Sequence, residues 1–234
     1  MTVTCVTIWR MAKFDKETAA EVLRQAAWLR GYPPELTDRL LAEGRLVHRA
    51  IGEWAQAEGD DRGGLFLVVA GLLHSYFAAD AEREVMIGLA GPGSMLGHAT
   101  RFSGGPRLVT AVCVQPTLLL ELSEAALDRV AEQCPELWRA LADFTYANMR
   151  GVLQMAADLL SLAPRQRLAA RLLAAAEGQG STEIWLSQEL LGEMTGLSRK
   201  TVNHHLGALE SAGLVETSYG RIRLLDLAAL RYVA

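Results

Sequence analysis

Apolar residues at helical spacing mark the C-terminal third of the chain most clearly. Leu190, Leu191 and Met194 make one short stripe, and Val202, Leu206 and Leu209 make a second. Ser187 and Ser198 stand where each helix would begin and can cap it through the side-chain hydroxyl. Between them, Gly196 in Thr195-Gly196-Leu197 supplies the positive φ that a sharp turn needs. Away from the second stripe lie Arg199, Lys200, Asn203 and His204, all long donors or near neighbours of one. The pattern predicts a helix-turn-helix whose second helix, 198–211, meets base edges in a major groove with its N-terminal residues. Ala212-Gly213-Leu214-Val215-Glu216 then ends the helix and opens a strand, and Tyr219-Gly220 forms a turn. Arg221-Ile222-Arg223-Leu224 alternates polar and apolar, which predicts a two-stranded wing with Arg221 and Arg223 on one side, toward phosphates.

Upstream the texture differs. From Arg45 to Leu122 short apolar runs are broken by glycine: Leu65–Ala70, Leu72–Phe77, Glu84–Leu89, Arg107–Val114 and Thr117–Leu122. These predict strands of a small β-roll or barrel, with hairpin tips at 60–64 and 78–81 and tight turns at Gly91-Pro92-Gly93 and Ser103-Gly104-Gly105-Pro106. Glu21–Leu29 and Pro34–Glu43 read as short helices, whereas residues 1–20 are poorly patterned and expected to be mobile. Ser123 opens a helix to Glu132, and Pro135 opens another running to about Leu162. Along it Thr145, Met149, Val152, Ala156 and Leu159 alternate spacings of four and three, the seam of a coiled-coil dimer helix. Pro164 marks a hinge, and Arg165–Glu177 is the first helix of the last domain. The fold class expected is α+β, in four segments: an N-terminal extension at 1–34, a β-roll at 35–134, a dimerisation helix at 135–163 and a winged helix-turn-helix at 164–234.

Composition narrows the function. The chain has 234 residues, half of them hydrophobic, with a net charge of −4. Residues 165–234 carry eight Lys and Arg against seven Asp and Glu, which leaves fifteen against twenty elsewhere. An acidic N-terminal part thus carries a near-neutral reader, so modest non-specific DNA affinity and strong salt sensitivity are expected. No apolar run reaches the ~18 residues of a membrane helix, and the N-terminus lacks a signal-peptide pattern, so a cytoplasmic protein is expected. Cys5, Cys113 and Cys134 have no metal-ligand spacing. His204 and His205 are adjacent and diverge by about 100° on a helix, which does not suit one metal. No Ser/His/Asp set or phosphate loop is present, so neither an enzyme nor a cofactor or metal is expected.

The order of elements and the run Leu186-Ser187-Gln188-Glu189-Leu190-Leu191-Gly192-Glu193-Met194-Thr195-Gly196-Leu197-Ser198-Arg199-Lys200-Thr201-Val202 resemble the Crp/Fnr family of bacterial transcription regulators. Val69-Ala70-Gly71, Pro92-Gly93-Ser94-Met95-Leu96-Gly97 and 107–122 match its cyclic-nucleotide-binding-like jelly roll more loosely. The resemblance implies a homodimer that binds double-stranded DNA, contacts RNA polymerase and does not engage a membrane. It implies DNA contacts from Ser187, Ser198, Arg199, Lys200, Thr201, Asn203 and His204, besides Arg221 and Arg223 in the wing. Two positions depart from the family pattern. Lys200 stands where a glutamate often accepts a bond from cytosine, and His204 where an arginine often reads a base, so a different half-site is expected.

The effector pocket implied by the resemblance comprises Gly97, His98, Arg107, Leu108, Val152 and Leu153. Members that bind cyclic AMP place Gly-Glu where this chain has Gly97-His98, and Arg-Ser or Arg-Thr where it has Arg107-Leu108. Their adenine partners on the long helix are usually hydroxyl residues; the matching positions here are Val152 and Leu153. Each polar atom of the nucleotide left unpaired costs about 1–3 kcal/mol, which argues against cyclic AMP. The alternatives are a regulator with no effector, or a sensor of another small ligand. A haem could use His74, His98 or Cys113, whereas an iron–sulfur cluster needs about four cysteines and is not expected. Trp9 and Trp28 have no assigned role beyond packing.

Overall fold

The computed structural model describes residues 16–61, 63–80 and 82–234; Cys5, Trp9, Arg62 and Ala81 lie outside them. The described residues open with helices α1 (Lys16–Gln25) and α2 (Pro34–Glu43), joined by a 3-10 turn at Ala27–Leu29. The strands are β1 (Arg45–Arg49), β2 (Trp54–Gln56), β3 (Leu65–Ala70), β4 (Leu73–Ala78), β5 (Glu84–Ala90), β6 (Met95–Leu96), β7 (Thr110–Cys113) and β8 (Thr117–Leu122), with a short helix α3 (His98–Ser103) between β6 and β7. They form two antiparallel four-stranded sheets, ordered β1-β8-β3-β6 and β2-β7-β4-β5. This is the N-terminal β-roll of an α+β protein.

The continuous apolar runs are explained by burial on both faces of a strand. Alternate residues of β3 and β8 (Leu65, Leu67, Val69; Leu118, Leu120, Leu122) pack with the helices, while Val68 and Leu119 pack between the sheets with Leu73 and Cys113. Cys113 is thus core, and burial pushes its thiol pKa up. Residues 16–34 are not a separate extension, since Ala19, Leu23, Trp28 and Leu29 belong to the same apolar cluster as the roll. Trp28 donates its indole N–H to the Gly93 carbonyl at 3.1 Å. Residues 16–20, expected to be mobile, instead form the start of α1, which is held by its buried Ala19, Ala20 and Leu23 face.

Helix α4 (Glu124–Gln133) starts where Ser123 Oγ accepts from the Ala126 amide, and α5 (Glu136–Ser161) follows Pro135. Only the start of α5 is buried, at Leu137, Ala140 and Leu141. Its remainder leaves the roll with large apolar residues in solvent: Tyr146, Met149, Leu153 and Leu160 are 65, 54, 63 and 91% exposed. After the bend at Leu162, α6 (Pro164–Gln179), β9 (Glu183–Ile184), α7 (Gln188–Thr195), α8 (Arg199–Ser211), β10 (Val215–Ser218), β11 (Arg221–Leu224) and α9 (Leu227–Val233) complete the winged helix-turn-helix. Its sheet has three strands, ordered β10-β11-β9, where two were expected. Among the described residues no helix is long and apolar enough to cross a membrane.

Candidate nucleic-acid interface and effector cavity

The reader is built as its sequence predicts. Ser187 Oγ accepts from the Leu190 amide at 3.2 Å and Ser198 Oγ from the Thr201 amide at 3.1 Å. Gly196 takes φ 64° between the helices. A Cβ on Gly192 would lie 2.6 Å from the Leu197 carbonyl, so α7 closes onto the turn only because that position is bare. Val202, Leu206 and Leu209 are buried against Leu168, Leu172 and Leu191. The opposite face leaves Arg199, Lys200, Asn203 and His204 exposed. Ser198 Oγ also lies 2.8 Å from Thr201 Oγ1, so these two hydroxyls are partly spent on each other at the helix start.

The wing differs from expectation in its charge. Arg221 pairs with Glu183 on β9 at 2.9 Å and lies 4.9 Å over the Trp185 ring, while Arg223 pairs with Glu216 at 3.0 Å. Both arginines are thus partly neutralised within the wing, Arg221 by a strand the sequence pattern did not announce and Arg223 by the neighbouring wing strand β10. Tyr219 is fully exposed at its tip. Arg167 was also not anticipated. It donates to the Thr195 carbonyl at 2.9 Å and the Leu162 carbonyl at 3.1 Å, tying the hinge to the turn between α7 and α8.

In the roll, a cavity of about 460 Å³ opens between β4, β5, α3 and α5. It gathers Gly97, His98, Arg107, Leu108 and Val152, together with Gln56, Phe144 and Asn148, which the sequence did not single out. Leu153 is not part of the lining, because it points to solvent one residue round the helix from Val152. Of the three haem-ligand candidates, only His98 lines the cavity. His74 faces the winged module and Cys113 lies in the core. The Arg107 guanidinium is buried, donating to Gln56 Oε1 at 3.3 Å and to the Gly64 carbonyl at 3.0 Å. Burial lowers its pKa, and Asp60 and Glu124 work the other way.

Burial also lowers the pKa of His98 to about 4, helped by Arg107, and that of His74 to about 4, opposed by the Trp185 backbone. Both rings are neutral at physiological pH. A depressed histidine pKa means that the unfolded chain binds protons the folded one refuses, so stability is expected to fall as pH drops from 6.5 toward about 4. Urea midpoints at about pH 7 and about pH 5 check this. The drop should shrink in His98→Gln; an equal drop there would remove His98 from the account.

The winged module docks on the roll through one hairpin. Met86 on β5 is buried within the module's apolar cluster, with Tyr76 and Leu89 against it, and the Gly91 amide donates to the Gly178 carbonyl at 2.9 Å. Ser75, Phe77 and Ile87 of the same two strands line the cavity. The β4–β5 hairpin thus has the cavity on one face and the reader on the other.

This architecture has known counterparts. The family described as Crp-like helix-turn-helix domain matches residues 166–233, and the cyclic nucleotide-binding domain matches residues 49–134. A CRP-like cAMP-activated global transcriptional regulator of Mycobacterium tuberculosis is 26% identical over 213 residues, covering 88% of this chain and 95% of that protein. The cyclic AMP receptor protein of Thermus thermophilus is 27% identical over 205 residues, covering 87% and 94%. Among solved structures, the catabolite activator protein of T. thermophilus is 26% identical with TM-score 0.52, over 88% of this chain and 97% of its own. A CRP-family transcriptional regulator from the same species is also 26% identical, with TM-score 0.63 over 80% and 96%.

Proposed function

The chain belongs to the Crp/Fnr family of DNA-binding transcription regulators, and from that premise we propose that it works as a homodimer reading a two-fold symmetric DNA site, under the control of a ligand other than cyclic AMP. The observation that carries the DNA reading is the α8 surface. It has a buried apolar stripe behind it and Arg199, Lys200, Asn203 and His204 free in front. Lys200 is a pure donor, so it prefers guanine or phosphate to the cytosine edge that a glutamate would take. The protein acts in the cytoplasm, where it meets DNA and RNA polymerase, and works without catalysis of its own.

The dimer reading rests on α5. The exposed apolar stripe is Tyr146, Met149, Leu153, Ala156 and Leu160, at spacings of three, four, three and four. It keeps Met149 and Ala156 of the expected seam of Thr145, Met149, Val152, Ala156 and Leu159, and takes the next residue at the other three positions. Thr145 Oγ1 is turned back to the Leu141 carbonyl and Leu159 lies under the turn at Gly196, while Met149 and Val152 each border both the cavity and solvent. A two-fold axis along α5 would set two copies of α8 for adjacent major grooves.

Two relatives bear names that record cyclic AMP, and the cavity here does not suit it. The position that would hold a ribose hydroxyl carries His98, and Thr100 and Thr145 spend their hydroxyls on the Gly97 and Leu141 carbonyls. The persistence of a cavity beside a buried arginine favours a sensor over a regulator that has lost its effector. Selection of random duplex DNA on the purified protein tests the reading. The expected product is a symmetric motif with half-sites about one helical turn apart. Lys200→Glu should change the preferred base at one position per half-site by about 1–3 kcal/mol, and unchanged specificity would remove Lys200 from base reading.

A further inference from the structure

The formal charge around the roll cavity is of one sign. Its lining among the described residues contains no aspartate or glutamate, and Arg107 is its one formal charge. Arg107 is 3% exposed, and the carboxylates that favour its charge, Asp60 and Glu124, stand outside that lining. Its two hydrogen bonds go to neutral acceptors, Gln56 Oε1 and the Gly64 carbonyl, out of the five N–H groups a guanidinium offers. A buried cation of this kind is stabilised most by an anion that arrives with its own hydrocarbon shell.

A polar neighbour stands beside it. Gly97 lies so close to Arg107 that a Cβ there would sit 1.7 Å from Nη1, and the next residue is His98. Asn148 Nδ2, which can only donate, is 3.4 Å from His98 Nε2. The other ring nitrogen, Nδ1, is buried with no partner. The Phe144 ring packs edge-on against His98 at 4.9 Å and fixes its plane. Facing these donors is an apolar wall that includes Ile87, Met95, Phe144, Met149 and Val152.

Resting on the reading of the roll as a sensor, we propose that the cavity binds an amphipathic carboxylate, an aromatic or medium-chain aliphatic acid. Its carboxylate accepts from Arg107, and its hydrocarbon body lies against Phe144, Met149 and Val152. A nucleotide carries sugar hydroxyls and ring amines that would find no carboxylate there, whereas an acid of this class brings only acceptors at its polar end.

Titration calorimetry on the full-length protein, without DNA, tests this with four probes: phenylacetate, decanoate, the neutral analogue phenylacetamide, and cyclic AMP. The expected result is binding of at least one acid, with the amide at least about tenfold weaker than phenylacetate or silent. Arg107→Gln should weaken the acid by a similar factor. Because Arg107 is buried, Leu108→Glu provides an independent arm. Leu108 is 59% exposed, so the fold tolerates the change, and the new carboxylate in the lining should repel the acid about tenfold or more. Equal binding of amide and acid, cyclic AMP binding in place of both acids, or silence of both acids at about 10 mM overturns the proposal. DNA selection reports separately on the regulator: a symmetric motif from a protein that binds no acid retires the ligand class alone.

Discussion

The double substitution Leu153→Asp, Leu160→Asp is expected to leave the protein monomeric and to weaken its binding to a symmetric DNA site about a hundredfold or more. In the single chain these two side chains are 63 and 91% exposed, one above the other on α5 at a spacing of seven. Apolar residues repeated at that period on a helix surface gain only by meeting a partner. In the dimer the two substitutions per chain would place four carboxylates in one apolar seam, where each must be desolvated beside like charges. The folded monomer loses little, because neither residue touches its core or lines the cavity. Two linked readers bind one site with an effective concentration that a lone reader lacks, so the loss falls on the full site and spares the half-site. Sedimentation velocity gives the oligomeric state and titration on full and half sites gives the affinities. A variant that stays dimeric, or a monomer that keeps full-site affinity, would contradict the α5 seam.

The contrast between that seam and the expected one shows what the sequence made legible. Thr145 and Tyr146, Val152 and Leu153, and Leu159 and Leu160 are adjacent pairs, so two seams that share Met149 and Ala156 fit the helix almost equally well. Choosing between them requires knowing that the roll and the reader's turn already occupy one side of α5, and no local pattern carries that information. The helix-turn-helix was legible because its signals are local: two serine caps, Gly196 and two stripes within twenty-four residues. Helix α3 was not, since Gly97 at its start supplies no capping side chain. Strands β1, β6 and β9 escaped notice because β6 and β9 have two residues each and β1 is a half-exposed edge carrying Arg45, His48 and Arg49. The partners of Arg221 and Arg107 lie 38 and 51 residues away, a separation at which sequence spacing says nothing about contact. Of the pocket positions implied by family resemblance, Gly97, His98, Arg107, Leu108 and Val152 line the cavity and Leu153 does not.

Gly91→Val is expected to separate the winged module from the roll and to uncouple DNA affinity from whatever fills the cavity. Gly91 ends the hairpin that has Phe77 and Ile87 on the cavity side and Met86 and Tyr76 on the reader side. A Cβ at this position would meet the Gln179 Cα and carbonyl oxygen at 2.9 Å each, and these are backbone atoms at the end of α6 that no rotamer change can move aside. The substitution therefore forces α6 outward and breaks the Gly91-to-Gly178 hydrogen bond, worth about 0.5–1.5 kcal/mol by itself. Opening the seam also exposes Met86, now 1% exposed, whose burial contributes about 1.5–3 kcal/mol. The base-reading side chains Arg199, Lys200, Asn203 and His204 are exposed and unchanged in the variant, so the preferred base sequence should stay as in the parent. The parent is expected to unfold in one calorimetric transition and Gly91→Val in two, the roll and the reader melting apart. Limited proteolysis should then cut first at the hinge around Leu162-Ala163-Pro164. Because a ligand can shift DNA affinity only through an element whose state both sites sense, the variant should bind DNA equally with and without an occupied cavity. A single transition with the ligand response intact would move the coupling path away from the β4–β5 hairpin and onto α5 and the Arg167 bridge.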